Sequence, residues 1–142
     1  MTSTITVAFV CVRNAGRSQM ATAFAEREAE EHGIDVEIIT GGTRPADEVH
    51  GVVADVMGEE GFDIRDRTPR EVTTEELAGA DYVVTMGCSA SDVCPATFAG
   101  ESRDWNLDDP GEATPEEARE IRDEVRRRVS ALFDEIEQGN RS

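Results

Sequence analysis

Short apolar runs alternate with helical segments along the chain, and this order most restricts the folds that it can adopt. Residues 5–10 are apolar or β-branched throughout, as in a strand that is buried on both faces. Similar runs occupy residues 36–39 and 81–86. Helical segments between such strands favour a parallel arrangement, because the chain must cross back over the sheet before each new strand. The sequence therefore predicts a parallel sheet with helices on both faces.

Helical periodicity and helix-start signals predict the remaining elements. We expect long helices over residues 20–31 and 47–60, and a third that begins at the Thr-Pro-Glu-Glu of residues 114–117. The Thr-Thr-Glu-Glu of residues 73–76 resembles a capping box for one short helical turn, and a fourth strand is expected around residues 103–107. Glycines are typical of helix C-termini. The predicted stops of the three long helices are Gly33, Gly61 and Gly139.

The charge of the chain is strongly negative. Its 142 residues include 31 acidic residues against 14 basic ones, all of them arginine, for a net charge of −17. Such a surface repels nucleic acid and anionic lipid, so we expect neither as a partner. A dense carboxylate surface without lysine resembles proteins of salt-loving cells, and an acidic interaction surface is the alternative. With no signal peptide and no membrane-spanning run recognised, we expect one cytoplasmic domain over residues 1–142.

Three cysteines, Cys11, Cys88 and Cys94, are the candidate reactive groups. An odd number without a secretory signal argues against a structural disulfide framework. Zinc is disfavoured because the two histidines do not lie near a cysteine pair at ligand spacing. The sequence therefore favours thiol chemistry, and it predicts neither a metal site nor a cofactor.

Cys11 follows the first predicted strand and lies at the start of the loop that leads into the first helix. In open α/β sheets such loops bind ligands, and inward-pointing N–H groups together with the helix dipole favour an oxyanion and a thiolate. Arg17 supplies a guanidinium fork for two oxyanion oxygens. Ser18 is placed to donate a hydrogen bond to the thiolate, and Asn14 tolerates left-handed backbone geometry. Together these residues predict a cysteine nucleophile in an oxyanion-binding loop.

The segment Val-Cys-Val-Arg-Asn-Ala-Gly-Arg-Ser-Gln-Met-Ala (residues 10–21) resembles the signature loop of the low-molecular-weight phosphatase family. Residues 14 and 17–21 further resemble its thioredoxin-coupled arsenate reductase branch. The expected fold is then a four-stranded parallel sheet of order 2-1-3-4 flanked by helices. Some reductases bind potassium beside an acidic residue, but Thr22 stands at that place here. The substrate-binding residues implied by the resemblance are Val12, Arg13, Asn14, Ala15, Gly16, Arg17 and Ser18.

The same resemblance implies a relay in which all three cysteines take part. Cys11 attacks arsenate, Cys88 then attacks Cys11 with release of arsenite, and Cys94 attacks Cys88. The resulting Cys88–Cys94 disulfide is reduced by a thioredoxin-like partner. A phosphatase needs only Cys11, so the cysteine count favours the reductase. A low-molecular-weight protein tyrosine phosphatase remains the alternative enzyme, and an oxyanion or redox sensor is the non-enzymatic alternative.

An Asp-Asp-Pro sequence at residues 108–110 precedes the last predicted helix. In this family an aspartate before proline at this place resembles the general acid that protonates the leaving oxygen. We predict that Asp109 is this acid, with Asp108 as the alternative. The aromatic residues that grip a phosphotyrosine ring in tyrosine phosphatases do not follow Pro110 here, and this weakens the phosphotyrosine-specific alternative.

Overall fold

A four-stranded parallel sheet forms the centre of the molecule, which we describe from a computed structural model covering residues 4–86, 100–105, 107 and 113–140. Its strands are β1 (Ile5–Cys11), β2 (Val36–Gly42), β3 (Tyr82–Met86) and β4 (Glu101–Asp104). Their order in the sheet is β2-β1-β3-β4, and every pairing is parallel. The predicted sheet and its order are confirmed.

Within the described residues four helices accompany the sheet: α1 (Arg17–His32), α2 (Gly51–Glu59), α3 (Thr74–Ala78) and α4 (Pro115–Asn140). The alternation of strands and helices therefore follows the prediction. In the part of the chain that the structure describes, no helix combines the length and apolar character needed to cross a bilayer.

Successive residues of β1 point to opposite faces of the sheet, as the pleat requires. Val7, Phe9 and Cys11 belong to the larger apolar cluster, which includes residues of α1, α2 and α4. Ala8 and Val10 belong to a smaller cluster that also contains Leu77 of α3. All five β1 residues are almost fully buried, which explains why this strand has no polar alternation.

Helix ends agree with the sequence signals in α1 and α3. Gly33 has a φ of 64° and its N–H bonds to the carbonyls of Ala29 and Glu30, as expected for a left-handed C-cap. At α3 the Thr73 side chain accepts from the Glu76 N–H, and the Glu76 carboxylate accepts from the Thr73 N–H. The predicted capping box is therefore confirmed.

Several predicted boundaries are wrong. Helix α1 begins at Arg17 rather than at residue 20, and β2 continues to Gly42 rather than ending at residue 39. Helix α2 begins at Gly51 rather than at residue 47, because the preceding segment is held by hydrogen bonds to another loop. The fourth strand is Glu101–Asp104 rather than residues 103–107, since its pairing is made by a polar edge segment rather than by the more apolar residues that follow. Helix α4 continues through Gly139 to Asn140, because glycine weakens a terminal turn by only about 1 kcal/mol.

Ion pairs connect α4 to α2 on the outside of the larger cluster. Arg119 and Arg122 both contact the Glu59 carboxylate at 2.8 Å, and Arg122 also donates to the Val56 carbonyl. Hydrogen bonds from Arg119 first, and from Arg122 second, lower the pKa of Glu59 to about 2. Arginines on this side of α4 thus pair with a glutamate of α2 in addition to facing solvent.

Candidate active site

The Cys11 thiol lies at the carboxyl edge of the sheet, where β1 ends. Cys11 pairs with Gly42 of β2 and with Met86 of β3, so it occupies the middle of this edge. Only 2% of its surface is exposed. The loop of residues 12–16 follows directly, and α1 begins at Arg17. The sheet therefore fixes the thiol at the point where the loop and the helix start.

Two hydrogen bonds hold the Cys11 sulfur. The Ser18 Oγ lies 2.8 Å from Sγ, and the backbone N–H of Asn14 donates to Sγ over 3.1 Å. The Ser18 oxygen also accepts a bond of 2.7 Å from Asn14 Nδ2, and its own proton can still be donated to the sulfur. When Cys11 is a thiolate, the Ser18 hydroxyl and the Asn14 N–H are therefore both able to donate to it.

The Asn14 side chain fixes the shape of the loop. Its φ is 52°, the only positive value among the described non-glycine residues, and asparagine tolerates this conformation better than most residues. Besides Ser18, its Nδ2 donates to Thr40 Oγ1 at 2.8 Å. Its Oδ1 accepts from the Arg70 N–H at 3.0 Å and from Gln19 Nε2 at 3.3 Å. One buried amide thus connects the nucleophile loop to α1, β2 and the segment before α3.

A second chain segment, residues 43–50, binds the outer side of the loop. Its N–H groups donate to loop carbonyls in four places, at distances of 2.8 to 3.2 Å. The N–H of a peptide points away from its carbonyl, and at the peptide between Arg13 and Asn14 the carbonyl bonds to Ala46 while the N–H bonds to the thiol. The pairs, donor first, are Thr43 with Cys11, Arg44 with Val12, Ala46 with Arg13, and His50 with Ala15.

Close packing at Gly42 supports this arrangement. A Cβ at this position would lie 2.6 Å from the Val12 carbonyl oxygen and 3.1 Å from the Asn14 nitrogen. Both contacts are with backbone atoms of the loop, which cannot move without displacing the loop itself. Glycine is therefore required at residue 42 by the position of the loop.

Arg70 holds the segment before α3 against β2. Its side chain donates to the Thr40 carbonyl and to the Glu76 carboxylate, both at 2.8 Å. Partial burial raises the pKa of Glu76, but the Arg70 guanidinium and the bonds from Thr73 outweigh this effect and leave the pKa below its usual value. The carboxylate therefore stays ionised and keeps Arg70 in place.

Arg17 is buried at the start of α1, with 8% of its surface exposed. Its Nη1 donates to the Leu107 carbonyl at 3.0 Å. Leu107 immediately precedes Asp108 and Asp109 in the sequence, so this bond brings the chain leading to the predicted general acid to the oxyanion loop. Within the described residues no side chain caps the first turn of α1, whose amides a bound oxyanion would use.

The predicted site residues divide into two groups. Cys11, Asn14, Arg17 and Ser18 are brought together at the loop, and their catalytic and binding roles stay predictions. Within the loop Val12 is half-buried, Arg13 is exposed, and Ala15 and Gly16 are buried. The other group lies outside the described residues, so the predicted roles of its members are untested. It consists of Cys88, Cys94, Asp108 and Asp109.

Sequence reasoning missed several residues that shape the loop. Thr40 carried a weak signal, as a polar residue at the carboxyl end of a strand beside the loop. Gln19 entered only through the family resemblance, although its amide donates to the Asn14 carbonyl at 3.0 Å. Arg70 carried no signal, because its part is played by a backbone N–H and by distant side-chain contacts.

Comparison with known proteins places this geometry in a family. The family model for low-molecular-weight phosphotyrosine protein phosphatases matches residues 6–142. A protein of Halobacterium salinarum named "Putative arsenate reductase" is 58% identical over 136 residues, which cover 94% of each chain. The alignments therefore include the loop, the sheet and the last helix.

Solved structures agree with this match. The thioredoxin-dependent arsenate reductase of Corynebacterium glutamicum is 36% identical with a TM-score of 0.77, covering 96% of this chain and 63% of that one. This chain thus spans less than two thirds of that protein. A structure described as an arsenate reductase in the phosphate-binding state is 28% identical with a TM-score of 0.78, covering 93% and 98% of the two chains. The chain belongs to the low-molecular-weight phosphotyrosine protein phosphatase family.

Proposed function

We propose that this protein reduces arsenate to arsenite, with Cys11 as the first nucleophile of three. The observation that carries the proposal is the Cys11 sulfur, held by Ser18 Oγ at 2.8 Å and the Asn14 N–H at 3.1 Å in a loop that opens a helix. Similarity to proteins named arsenate reductases supports arsenate as the substrate rather than a phosphate ester. The site belongs to one domain spanning residues 1–142.

The first step joins Cys11 to arsenate. The Cys11 thiolate attacks As(V), a sulfur–arsenic bond forms, and an arsenate oxygen leaves as water after protonation. Arg17 and the inward amides of the loop stabilise the charge on the remaining oxygens. Asp109 supplies the proton to the leaving oxygen, and the bond from Arg17 to the Leu107 carbonyl supports its proximity.

The second step is the reduction itself. The Cys88 thiolate attacks Cys11 Sγ, a disulfide forms, and the electron pair of the sulfur–arsenic bond goes to arsenic, which leaves as arsenite. Cys94 then attacks Cys88, which frees Cys11 as a thiolate and leaves a Cys88–Cys94 disulfide. A thioredoxin-type dithiol reduces this disulfide by exchange, and the relay requires a reducing compartment such as the cytoplasm.

The test is arsenate-dependent consumption of reducing equivalents with a thioredoxin and its reductase, in molar KCl. Wild type should turn over, whereas Cys11→Ser, Cys88→Ser and Cys94→Ser should each lose turnover. Hydrolysis of an aryl phosphate provides the matched control, because it should persist in Cys88→Ser and Cys94→Ser and disappear in Cys11→Ser. Full arsenate turnover by Cys88→Ser would refute the relay.

Phosphomonoester hydrolysis is the second candidate function, and the family match favours it. It requires Cys11 to form a phosphocysteine, Arg17 to bind the phosphoryl oxygens and Asp109 to protonate the leaving group. If arsenate produced no turnover while every variant except Cys11→Ser hydrolysed the aryl phosphate, the phosphatase would be the correct function.

A further inference from the structure

Two arginines at the Cys11 loop differ from the other arginines that the structure describes. Arg13 lies in the loop, and Arg44 lies in the segment that binds its outer side; both are exposed. In the described residues neither guanidinium has a hydrogen bond, an ion pair or an aromatic partner. Every other arginine within these ranges contacts a carboxylate, a backbone carbonyl or an aromatic ring.

The composition of the chain makes this difference informative. Carboxylates outnumber arginines 31 to 14, so most exposed guanidinium groups have an acidic side chain within reach. Asp47 and Glu48 lie on the same segment as Arg44, yet neither forms an ion pair in the described part of the chain. Among the residues that the structure describes, no carboxylate therefore contacts the guanidinium group of Arg13 or Arg44.

Backbone geometry places both arginines near the thiol. Arg13 follows Cys11 by two residues, so their Cα atoms are at most about 7 Å apart. The Arg44 N–H donates to the Val12 carbonyl at 2.8 Å, and Val12 is adjacent to Cys11. Arg13 is thus part of the loop that follows the nucleophile, and Arg44 is bonded directly to the backbone of that loop.

We propose that Arg13 and Arg44 form an outer anion-binding rim, which captures small tetrahedral oxyanions and raises their occupancy of the Cys11 loop. The inference deepens the proposed function, on which it rests for the identity of the oxyanion. Molar salt reduces the range of electrostatic forces to about 3 Å. The rim therefore acts on an anion that has reached the entrance rather than by long-range attraction. Loss of the rim should therefore change the KM for the oxyanion and not kcat.

Alkylation of Cys11 tests the rim without any assumption about arsenate. Iodoacetate carries a negative charge and iodoacetamide is neutral, so the ratio of their rates reports the potential at the entrance. The rates are read from the Cys11-containing peptide by mass spectrometry. We expect Arg13→Ala and Arg44→Ala to lower the ratio about 2- to 3-fold each, and the double variant about 5- to 10-fold.

Matched variants separate charge from structure. Arg13→Lys and Arg44→Lys keep the charge and should restore the ratio. Arg127→Ala removes an equivalent charge from the exposed face of α4 and should leave the ratio at its wild-type value. An unchanged ratio in the Arg13→Ala/Arg44→Ala double variant, with its circular dichroism spectrum intact, would overturn the rim.

Arsenate kinetics form the second arm. The double variant should raise the arsenate KM about 5- to 10-fold and keep kcat within about 2-fold, since only entry is affected. A lower kcat at an unchanged KM would contradict the rim. If wild type does not reduce arsenate but the alkylation ratio falls in the variants as expected, the rim is supported and the proposed function is refuted. If wild type reduces arsenate and the alkylation ratio does not change in the variants, the proposed function is supported and the rim is refuted.

Discussion

The first half of α1, residues 17–25, is buried on all sides, whereas residues 26–32 are charged or small and mostly reach solvent. In the first half even polar side chains are buried, because Ser18 and Gln19 bond to Cys11 and its loop and Arg17 bonds to the Leu107 carbonyl. In the second half, His32 and Glu26 instead form ion pairs with Glu137 of α4 and with Arg67. The N-terminal half of α1 therefore carries residues of the candidate active site, and the C-terminal half carries exposed residues that stabilise the fold. We expect substitutions in the first half to change activity and substitutions in the second half to change the free energy of unfolding.

The largest effect is expected for Arg17→Lys. Lysine keeps the charge but lacks the planar fork that contacts two oxyanion oxygens at once. We expect kcat/KM to fall about 100- to 1,000-fold for arsenate or for an aryl phosphate, with the free energy of unfolding within about 1 kcal/mol of wild type. Steady-state kinetics and denaturant titration measure the two quantities. A large loss of stability with activity preserved would reverse the proposed division of α1.

Ser18→Ala should have the next largest effect on chemistry. The substitution removes the hydroxyl donor to Cys11 and one acceptor of the Asn14 amide, and leaves the Asn14 N–H as a donor to the sulfur. Loss of one hydrogen bond to a charged group costs about 1.5 kcal/mol, so we expect Cys11 alkylation by iodoacetamide at pH 7 to slow about 10-fold. Ser130→Ala on α4 is the matched control and should alkylate at the wild-type rate.

At the C-terminal end of α1, the stabilisation contributed by His32 should depend on pH. Its hydrogen bond to Glu137 raises its pKa, burial opposes this, and Glu28 raises the pKa further, so it lies above 6.5 in the folded protein. The ring nitrogens lie 2.5 Å from Glu137 and 2.9 Å from Glu28. The stabilisation is then complete below the unfolded-state pKa of about 6.5 and is lost as pH rises through the folded-state pKa.

The corresponding variant is His32→Gln. We expect it to lower the free energy of unfolding by roughly 1 kcal/mol at pH 5.5 and by much less at pH 9, with kcat unchanged at both pH values. Urea unfolding at the two pH values measures the difference. Equal destabilisation at both would show that packing against Phe133, rather than charge, accounts for the contribution of the ring.

The smallest effect is expected for Glu26→Gln. Its carboxylate pairs with Arg67 at 2.8 Å, but both side chains are substantially exposed and therefore screened by solvent and salt. The free energy of unfolding should change by about 0.5 kcal/mol or less, and less still in molar KCl. A loss comparable to that of His32→Gln would mean that the exposed half of α1 depends on individual ion pairs.

The parts of the fold that sequence predicted well are those where burial is continuous. Residues 7–10 fit only a strand in the middle of the sheet, because every one of their side chains is fully buried. The start of α2 was misplaced because Val49 is buried although it lies outside the helix. Strand β4 was misplaced because its residues are mostly exposed, while the neighbouring Trp105 is buried just beyond the strand.

In the candidate site, the residues that could be predicted from sequence are those that lie close together along the chain. Cys11, Asn14, Arg17 and Ser18 lie within one loop and helix turn, so their chemistry can be interpreted without the fold. Thr40 and Arg70 reach Asn14 only because β2 and the segment before α3 adjoin the loop. Residues 43–50 act through backbone N–H groups, which every residue except proline possesses, and no composition signal distinguishes them.

The close contact at Gly42 has an evolutionary consequence. The carbonyl of Val12 excludes any side chain at this position, whatever reaction the loop performs. Glycine at residue 42 is therefore retained because the loop cannot fold without it, whereas Cys11 is retained only while the protein needs its catalytic activity. In lineages that lose the activity, Cys11 and Arg17 should drift freely while glycine persists at the position of Gly42, so that this residue outlasts the nucleophile as a mark of common descent.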